Sequence, residues 1–333
     1  MESEWITVRE AINKALDEEL CRDKNVIVLG EEVAKSGGAH QVTKGLLAKY
    51  GNCRVMDTPI SEMCFTGFAV GASFLGLRPV VEFMTWNFAL QSIDQIINSC
   101  AKTRYMSGGR VSCPIVFRGP NGYNPGYAAQ HTQDFSAYYG CVPGLQVVSP
   151  YSARDYYGLT KAAIRDENPV VILENESMYG DRFRMFPEFA TDFCQNLGRA
   201  VIERPGRDVT LIGASVAVKT CLEAAETLER SGVSCEVINL VSIRPLDRNT
   251  VLSSVARTRR AVVVDFGWPA FGIASEVSAL INEALFGRLL APVARVCGED
   301  VPTPYAANLE ALSFPTTERV QRAVHDCAEY SRN

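Results

Sequence analysis

The sequence predicts an α/β protein of two doubly wound domains, and two patterns support this prediction. Short apolar runs alternate with segments of helical periodicity, which is typical of strands joined by helical crossovers in a parallel sheet. The alternation stops between residues 180 and about 198, where aromatic and charged residues mix, and then restarts. We therefore expect a first domain over residues 1–190 and a second, smaller domain over 200–333.

The first domain opens with a predicted helix and a buried strand. Residues 7–20 carry apolar side chains at helical spacing, and residues 25–30 form an apolar run that ends in glycine. Further buried strands are predicted at 78–83, 114–118, 145–149 and 169–173, and helices at 66–76, 87–104 and 152–166. Because helical segments lie between these strands, the crossovers predict a parallel sheet that is covered on both faces.

The second domain repeats the pattern. Strands are predicted at 208–213, 235–240 and 261–265, with a helix that runs through residues 224–228 between the first two. With 333 residues, of which 47% are hydrophobic, the chain can bury two cores of this kind.

Composition disfavours two classes of partner. The formal net charge of −5 gives no basic surface for nucleic acid, and no uninterrupted apolar stretch of about 18 residues is present for a membrane span. The eleven cysteines are scattered without a Cys-x-x-Cys pair, and several lie in apolar runs. We therefore expect no nucleic-acid or membrane partner, and reduced core cysteines in a reducing compartment.

Local cofactor and metal motifs do not explain the chain. Neither the G-x-G-x-x-G fingerprint nor a P-loop occurs, and the three histidines His40, His131 and His325 lie far apart without an H-E-x-x-H motif. The sequence therefore gives no support for a dinucleotide, a P-loop nucleotide or a structural zinc ion.

The segment Asp-Thr-Pro-Ile-Ser-Glu at residues 57–62 places a carboxyl group where a strand ends and a helix begins. One interpretation of Glu62 is an ordinary first-turn glutamate stabilised by the helix dipole. The other is a functional carboxyl whose apolar neighbours, at positions 60 and 63–65, desolvate it and tune its protonation for proton transfer. The local sequence leaves both interpretations open.

Two other positions have a functional and a structural interpretation. His131 follows a loop rich in Gly, Pro and Asn, and loops after parallel strands build ligand crevices, but a lone histidine is also a common structural hydrogen-bonding group. Met84, Trp86 and Phe88 follow the strand at 78–83 and are either core residues or a wall for a flat heteroaromatic ring.

A series of motifs along nearly the whole chain indicates a family. They lie at 57–63, 82–85, 93–98, 105–109, 118–122, 129–131, 173–176, 236–240, 243–245 and 298–302. Together they resemble the transketolase-like thiamine diphosphate enzymes, and among these the beta subunits of the pyruvate dehydrogenase decarboxylase component. The resemblance implies a pyrimidine-binding domain followed by a transketolase C-terminal-like domain, in agreement with the two predicted α/β units.

The resemblance also implies a reaction and its residues. The reaction is oxidative decarboxylation of pyruvate with reductive acetylation of lipoyl groups, which yields acetyl-CoA within a multienzyme complex. Glu62 contacts the aminopyrimidine of thiamine diphosphate and promotes its imino tautomer. Phe88 stacks near that ring, and Ile60 and Met84 form the surrounding wall. His131 lies at the mouth of the site, where it orients the lipoyl group and supplies a proton.

Two metals follow from the resemblance. A structural potassium ion is implied at Ile115, Ala163, Ile164, Asp166 and Asn168, although these residue types by themselves indicate only a helix end before a proline. Magnesium is expected on a separate alpha subunit, because no Gly-Asp-Gly triplet occurs in this chain.

The implied assembly is an alpha2-beta2 heterotetramer that docks onto a dihydrolipoyl acetyltransferase core and its lipoyl domain. A branched-chain 2-oxo acid dehydrogenase beta subunit is the nearest alternative, although the motifs at 60–63, 83–85 and 118–122 look more pyruvate-type. A non-catalytic assembly subunit is a second alternative, and the presence of Glu62 and His131 argues against it.

Localisation depends on the N-terminus. Residues 1–5 are acidic and resemble neither a secretory signal nor an Arg-rich transit peptide, so either there is no presequence or it is not part of this chain. The resemblance points to the mitochondrial matrix, with a bacterial cytoplasm as the alternative.

Overall fold

The computed structural model describes residues 5–184 and 186–330. The chain forms two compact units: residues up to Asn121 with Tyr138–Leu197, and Gly122–Ala137 with residues from Gly198 onward. Residues 122–137, which the sequence places in the first domain, thus cluster with the second unit. The boundary at 190–200 stays a prediction, and residues 1–4, 185 and 331–333 of the predicted domains lie outside the described residues.

Strands and helices alternate along the chain, as predicted. The strands are β1 (Trp5–Thr7), β2 (Val26–Gly30), β3 (Val55–Asp57), β4 (Arg78–Glu82), β5 (Val116–Pro120), β6 (Gln146–Val148), β7 (Val170–Glu174), β8 (Arg182–Arg184), β9 (Val201–Arg204), β10 (Val209–Gly213), β11 (Cys235–Asn239), β12 (Ser242–Arg244), β13 (Ala261–Asp265) and β14 (Ala294–Cys297). The helices are α1 (Val8–Arg22), α2 (Leu46–Tyr50), α3 (Glu62–Phe74), α4 (Thr103–Met106), α5 (Ser136–Gly140), α6 (Ala153–Arg165), α7 (Val216–Arg230), α8 (Arg248–Thr258), α9 (Ile273–Leu285), α10 (Ala307–Ser313) and α11 (Thr317–Glu329). In the described part of the chain, no helix combines the length and the apolar character that a membrane span requires.

Six strands of the first unit lie in the order β6-β7-β5-β4-β2-β3 and run parallel. Strands β2, β5 and β7 are buried along their whole length, which explains their continuous apolar sequences. The register places Gly30 beside both Asp57 and Glu82, so the carboxyl ends of β2, β3 and β4 meet at one edge. The loops at such an edge are where parallel sheets bind ligands.

The second unit contains a five-stranded sheet in the order β14-β13-β10-β11-β9. Strand β9 runs antiparallel to β11, and the other neighbours run parallel. Ile212, Ile238 and Val263 from three adjacent strands lie in one core cluster with residues of α8 and α9. The predicted α/β class therefore holds for both units.

Local signals explain where the helices begin. The Thr7 hydroxyl accepts a hydrogen bond from the Glu10 N–H at 3.3 Å, and the Glu10 carboxylate accepts one from the Thr7 N–H at 2.8 Å. This capping box satisfies two amide groups at the start of α1. Helix α3 begins at Glu62, earlier than the predicted residue 66, directly after the Thr-Pro-Ile-Ser turn.

The segment predicted as one helix over 87–104 has a different structure. It contains a 3-10 turn at Ala89–Ser92, a π-helical turn at Gln95–Cys100 and the short helix α4. The Ala101 N–H bonds to the Ile96 carbonyl at 3.0 Å, five residues back, which is the spacing of a π-turn. Apolar periodicity does not distinguish these helical types, because all of them place a similar face on the core.

A buried ion cluster connects three strands of the first sheet. Arg118 of β5 is 1% exposed and donates to the Glu174 carboxylate of β7 from Nε at 2.7 Å and from Nη2 at 2.5 Å. Its Nη1 donates to the Glu82 carboxylate of β4. The Tyr179 hydroxyl adds a hydrogen bond to Glu174 at 2.6 Å. Every charge of this cluster thus has a direct partner.

We expect Arg118→Met to lower the free energy of unfolding by about 3–5 kcal/mol, because it leaves the buried Glu82 and Glu174 carboxylates without their cation. Urea denaturation measures the change. The control is Arg230→Met, which removes an exposed ion pair with Glu226 and should cost no more than about 1 kcal/mol. Equal losses for the two variants would contradict a stabilising role of the cluster.

Candidate active site

The loops after β2, β3 and β4 meet at the carboxyl edge of the first sheet. Asp57 ties two of these loops together: its carboxylate accepts hydrogen bonds from the Ala34 N–H at 2.7 Å and the Lys35 N–H at 3.2 Å. Asp57 therefore has a structural role, since it holds the segment after β2 against the end of β3.

Glu62 is the first residue of α3 and is 5% exposed. Its Oε2 accepts a hydrogen bond at 3.1 Å from Nε2 of Gln91, which lies in the 3-10 turn after β4. The helix dipole favours an acidic side chain at this position. Both sequence interpretations of Glu62 thus describe part of its environment, since it is a first-turn residue and also an enclosed carboxyl group.

Glu31 is a site residue that the sequence analysis missed. It directly follows β2 and is 7% exposed, and its Oε1 is buried without a hydrogen-bond partner among the described residues. Burial, followed by the nearby charge of Glu62, raises the pKa of Glu31 from 4.5 to about 7. The signal in the sequence was an acidic residue directly after a buried strand, but only the strand order shows that Glu31 and Glu62 share an edge.

The apolar neighbours of Glu62 in sequence differ in exposure, since Phe65 is 5% exposed whereas two others face outward. Ile60 is 83% exposed and Met63 is 57% exposed. Successive residues on a helix point in different directions, so the residue next to a buried one commonly faces outward. The turn that carries Gln91 contacts Glu62 from another segment of the chain.

The other predicted cofactor-binding residues lie after β4. Met84 and Phe88 are both half-buried, whereas Trp86 between them is fully buried and donates from its ring N–H to the Ile172 carbonyl at 3.2 Å. The amide N–H of Gln91 bonds to the Phe88 carbonyl at 3.2 Å. Phe88 and the side chain that contacts Glu62 thus belong to the same short turn.

An apolar cavity of about 300 Å³ adjoins the start of α3. Its lining comes from β2, from β3 and the residues after it, and from one face of α3, with the residues Leu29, Met56, Asp57, Thr58, Pro59, Ser61, Cys64, Phe65 and Phe68. The lining includes residues on both sides of Glu62 but not Glu62 itself. None of Ile60, Met84 and Phe88 lines this cavity.

His131 belongs to the second unit and Glu62 to the first. His131 ends the 3-10 turn Ala129–His131 and is exposed, with its ring centroid 6.5 Å from that of Tyr127. Ala128, the residue directly before this turn, has a φ of 61°, in the left-handed region that a residue with a Cβ seldom adopts. The loop therefore holds this exposed histidine in a defined turn.

The residues implied for potassium lie at the end of α6 and just before the first residues of β5 and β7. The carbonyl oxygens of Ile164 and Asp166 converge on one group, since both accept hydrogen bonds from Nη1 of Arg78, at 3.0 and 3.1 Å. The Ala163 carbonyl accepts from the Asp166 N–H at 3.3 Å. These oxygens form a site that favours positive charge, and the guanidinium of Arg78 already contacts it.

The remaining two implied residues also have partners within the chain. The Ile115 carbonyl accepts from the Val170 N–H at 3.0 Å. Oδ1 of Asp166 accepts from the side-chain amide of Asn168 at 2.8 Å, and Oδ1 of Asn168 accepts from Arg104 at 2.8 Å. Among the residues that the structure describes, no three His, Cys, Asp or Glu side chains form a group that could hold a metal ion.

We expect Glu31→Gln to stabilise the protein at high pH but not at low pH. The folded-state pKa of Glu31, about 7, exceeds its ordinary value of 4.5, so the folded state loses stability as the pH rises from about 4.5 to about 7. The neutral glutamine avoids this loss. The midpoint of thermal unfolding of the variant, relative to the natural chain, should therefore rise over this range and stay constant above it.

The control for this measurement is Glu283→Gln, which removes an exposed carboxyl of α9 and should leave the pH dependence unchanged. A constant difference between Glu31→Gln and the natural chain across the whole pH range would contradict the raised pKa.

Two families of domains match the chain. The transketolase pyrimidine-binding domain matches residues 4–182, and the transketolase C-terminal domain matches residues 198–320. A solved structure described as a split-gene transketolase, an inactive beta4 tetramer, superposes with a TM-score of 0.77 at 25% identity. That match covers 98% of this chain and 99% of the other.

Curated relatives are similar along nearly the whole chain. The mitochondrial pyruvate dehydrogenase E1 component subunit beta of Caenorhabditis elegans is 56% identical, over 96% of this chain and 91% of that protein. The mitochondrial subunit beta of Dictyostelium discoideum is 53% identical, over 96% of this chain and 90% of that protein. The mitochondrial subunit beta of Homo sapiens is 54% identical, over 96% of this chain and 89% of that protein. The resemblance inferred from the motifs is thereby confirmed, and the chain belongs to the family of pyruvate dehydrogenase E1 component beta subunits, built from transketolase-type pyrimidine-binding and C-terminal domains.

Proposed function

We propose that this chain is the beta subunit of a thiamine diphosphate-dependent pyruvate dehydrogenase and that Glu62 is its catalytic carboxyl group. The main support is the position of Glu62, which is 5% exposed at the start of α3 and hydrogen-bonded to Gln91. The reaction is oxidative decarboxylation of pyruvate with reductive acetylation of lipoyl groups. The relatives' shared name, pyruvate dehydrogenase E1 component subunit beta, supports this choice.

The residues at this edge fit the aminopyrimidine half of thiamine diphosphate. When bound, this cofactor supplies a nucleophilic carbon and an electron sink for the decarboxylation of a 2-oxo acid. Glu62 would exchange a proton with the pyrimidine ring, because a carboxyl group can both accept and donate a proton. Phe88 would stack near the ring, with Ile60 and Met84 as its wall. The buried, unpartnered Oε1 of Glu31 supports a polar ligand at this edge.

The proposed domains are residues 1–190 for pyrimidine binding and 200–333 for the C-terminal domain. We place the magnesium ligands on an alpha subunit, since this sequence has no Gly-Asp-Gly triplet. We place potassium at the five positions implied by the family: Ile115, Ala163, Ile164, Asp166 and Asn168. Support comes from the carbonyl oxygens of Ile164 and Asp166, which converge on a cationic group.

The proposed assembly is an alpha2-beta2 heterotetramer docked on a dihydrolipoyl acetyltransferase core. Large apolar side chains exposed on α3 and beside it support a subunit interface. They are Ile60, Met63, Phe68, Phe74 and Leu75, and Leu75 is 88% exposed. The mitochondrial relatives support the mitochondrial matrix as the location, with a bacterial cytoplasm as the alternative.

The first test is pyruvate-dependent release of carbon dioxide by the chain co-purified with its alpha subunit. We expect Glu62→Gln to lower kcat by about 10²–10⁴-fold, because the amide cannot exchange a proton with the cofactor. The matched control is Glu318→Gln, which changes an exposed first-turn glutamate of α11. Helices α11 and α3 have the same length, 13 residues. Unchanged activity of Glu62→Gln would contradict the assignment, and turnover of branched-chain 2-oxo acids in place of pyruvate would favour the alternative enzyme.

A separate test concerns His131. We expect His131→Gln to reduce acetyl transfer to a lipoyl domain more strongly than pyruvate decarboxylation measured with an artificial electron acceptor, because the imidazole acts only in the transfer. His325→Gln is the control, since His325 is exposed on α11. Equal reduction of both activities would contradict a specific role of His131 in acetyl transfer.

A further inference from the structure

Two buried thiols lie next to each other in the first unit, and neither takes part in the proposed reaction. Cys100 is the last residue of the π-helical turn Gln95–Cys100, and Cys113 lies just before β5. Their sulfur atoms are 2.9 Å apart, and each residue is 1% exposed. We propose that this pair is a redox-modification site, at which hydrogen peroxide converts the two thiols into a reversible intramolecular disulfide.

The separation of the two sulfur atoms is close to that of a disulfide bond. A disulfide places its sulfur atoms about 2.05 Å apart, so the two sulfurs need to approach by about 1 Å. The chain between them already turns back on itself, because Gly108 and Gly109 have φ angles of 62° and 80°. Only glycine adopts such angles without steric cost. The bond would therefore close a loop whose ends the fold has already brought together.

The surroundings give the two sulfurs different roles. The hydrogen bond with Cys100 lowers the pKa of Cys113, whereas burial raises the pKa of Cys100. Oγ of Ser73, on α3, lies 3.2 Å from the Cys113 sulfur and adds a second polar contact. Because the thiolate is the reactive form, Cys113 is the attacking sulfur and Cys100 the resolving one.

The reaction consumes one peroxide for each disulfide. The Cys113 sulfur attacks a peroxide oxygen, so that an S–O bond forms, the O–O bond breaks, and the released hydroxide takes up a proton to become water. The Cys100 sulfur then attacks the Cys113 sulfur. The S–S bond forms, the S–O bond breaks, and the thiol proton leaves with the hydroxyl group as a second water. Two thiols are oxidised while one peroxide is reduced, and an external dithiol reverses the change.

Enclosure decides which oxidant reaches the pair. Oxidised glutathione is the size of a peptide and cannot approach sulfurs on residues that are 1% exposed. Hydrogen peroxide is small enough to enter during brief local openings of the fold. Exposed cysteines such as Cys53 are open to both reagents. The site is therefore selective for small oxidants.

The test is treatment of the purified full chain with hydrogen peroxide, followed by blocking of free thiols under denaturing conditions and tryptic mapping. Cleavage after Lys102 and Arg110 places Cys100 and Cys113 in separate peptides. We expect these two peptides to be disulfide-linked, with a mass about 2 Da below the sum of the thiol forms, and to separate on reduction. Cys64 shares the Cys100 peptide, so fragmentation of the linked pair assigns the bond.

Three variants serve as controls. Cys113→Ala should lose the linked pair, and Cys100→Ala should let Cys113 proceed to sulfinic acid, because no resolving thiol remains. Cys297→Ala removes a thiol that is 5% exposed in the second unit and should form the linked pair like the natural chain. Oxidised glutathione should modify Cys53 without linking the pair.

Two results with the natural chain would overturn the proposal. One is oxidation of Cys113 to sulfinic acid with no linked peptides. The other is an unmodified pair when peroxide has fully oxidised the exposed Cys53. Because the peptide map of the natural chain decides between these outcomes, the proposal does not depend on correct folding of the variants.

Discussion

The ion cluster around Arg118 is the interaction on which the first sheet most depends. Removing charged groups from water costs several kcal/mol for each ion, and in a buried site only direct pairing offsets that cost. Arg118 on β5 forms ion pairs with Glu82 on β4 and Glu174 on β7. These ion pairs link β5 to its two neighbouring strands in the sheet. The loop after β4, which carries Met84 and Phe88, starts directly after Glu82.

The candidate site places two carboxyl groups, those of Glu31 and Glu62, after strands β2 and β3 at the carboxyl edge of the first sheet. Glu31 and Glu62 are both buried, and the charge of Glu62 adds to burial in raising the pKa of Glu31. Glu31 therefore keeps its proton at a pH where exposed glutamates have lost theirs. Gln91 binds one of the two groups, so they have different environments although they share a chemistry. Glu62 is the group that we propose to exchange a proton with the cofactor ring.

The same enclosure has another consequence at the far end of α3. Glu62 is the first residue of this helix, and Ser73, near its end, lies against Cys113. Oxidation of Cys100 and Cys113 would thus act on a segment packed against the helix that carries the proposed catalytic carboxyl. Burial has different effects at the two sites: it raises the pKa of Glu31 beside Glu62, and it restricts access to the thiols.

The sequence by itself determined the features that depend on local pattern. Continuous apolar runs located the buried strands, and the ordered motifs identified the family. The segment at residues 57–62 indicated that a strand ends and a helix begins there, although the helical periodicity predicted the helix only from residue 66 and α3 begins at Glu62. Apolar periodicity also indicated a helix at 87–104, where it could not reveal the π-helical turn, because the helical types place similar faces on the core.

The tertiary structure decided what depends on residues far apart in the chain. It brought Glu31 beside Glu62, left Ile60 exposed, and placed the Cys100 and Cys113 sulfurs in contact. None of these follows from local pattern, since strand order and helix packing set which side chains meet. A covalent bond forms only between atoms in contact and an electrostatic interaction weakens with distance, so the reactivity of these groups is a property of the fold and not of their positions in the sequence.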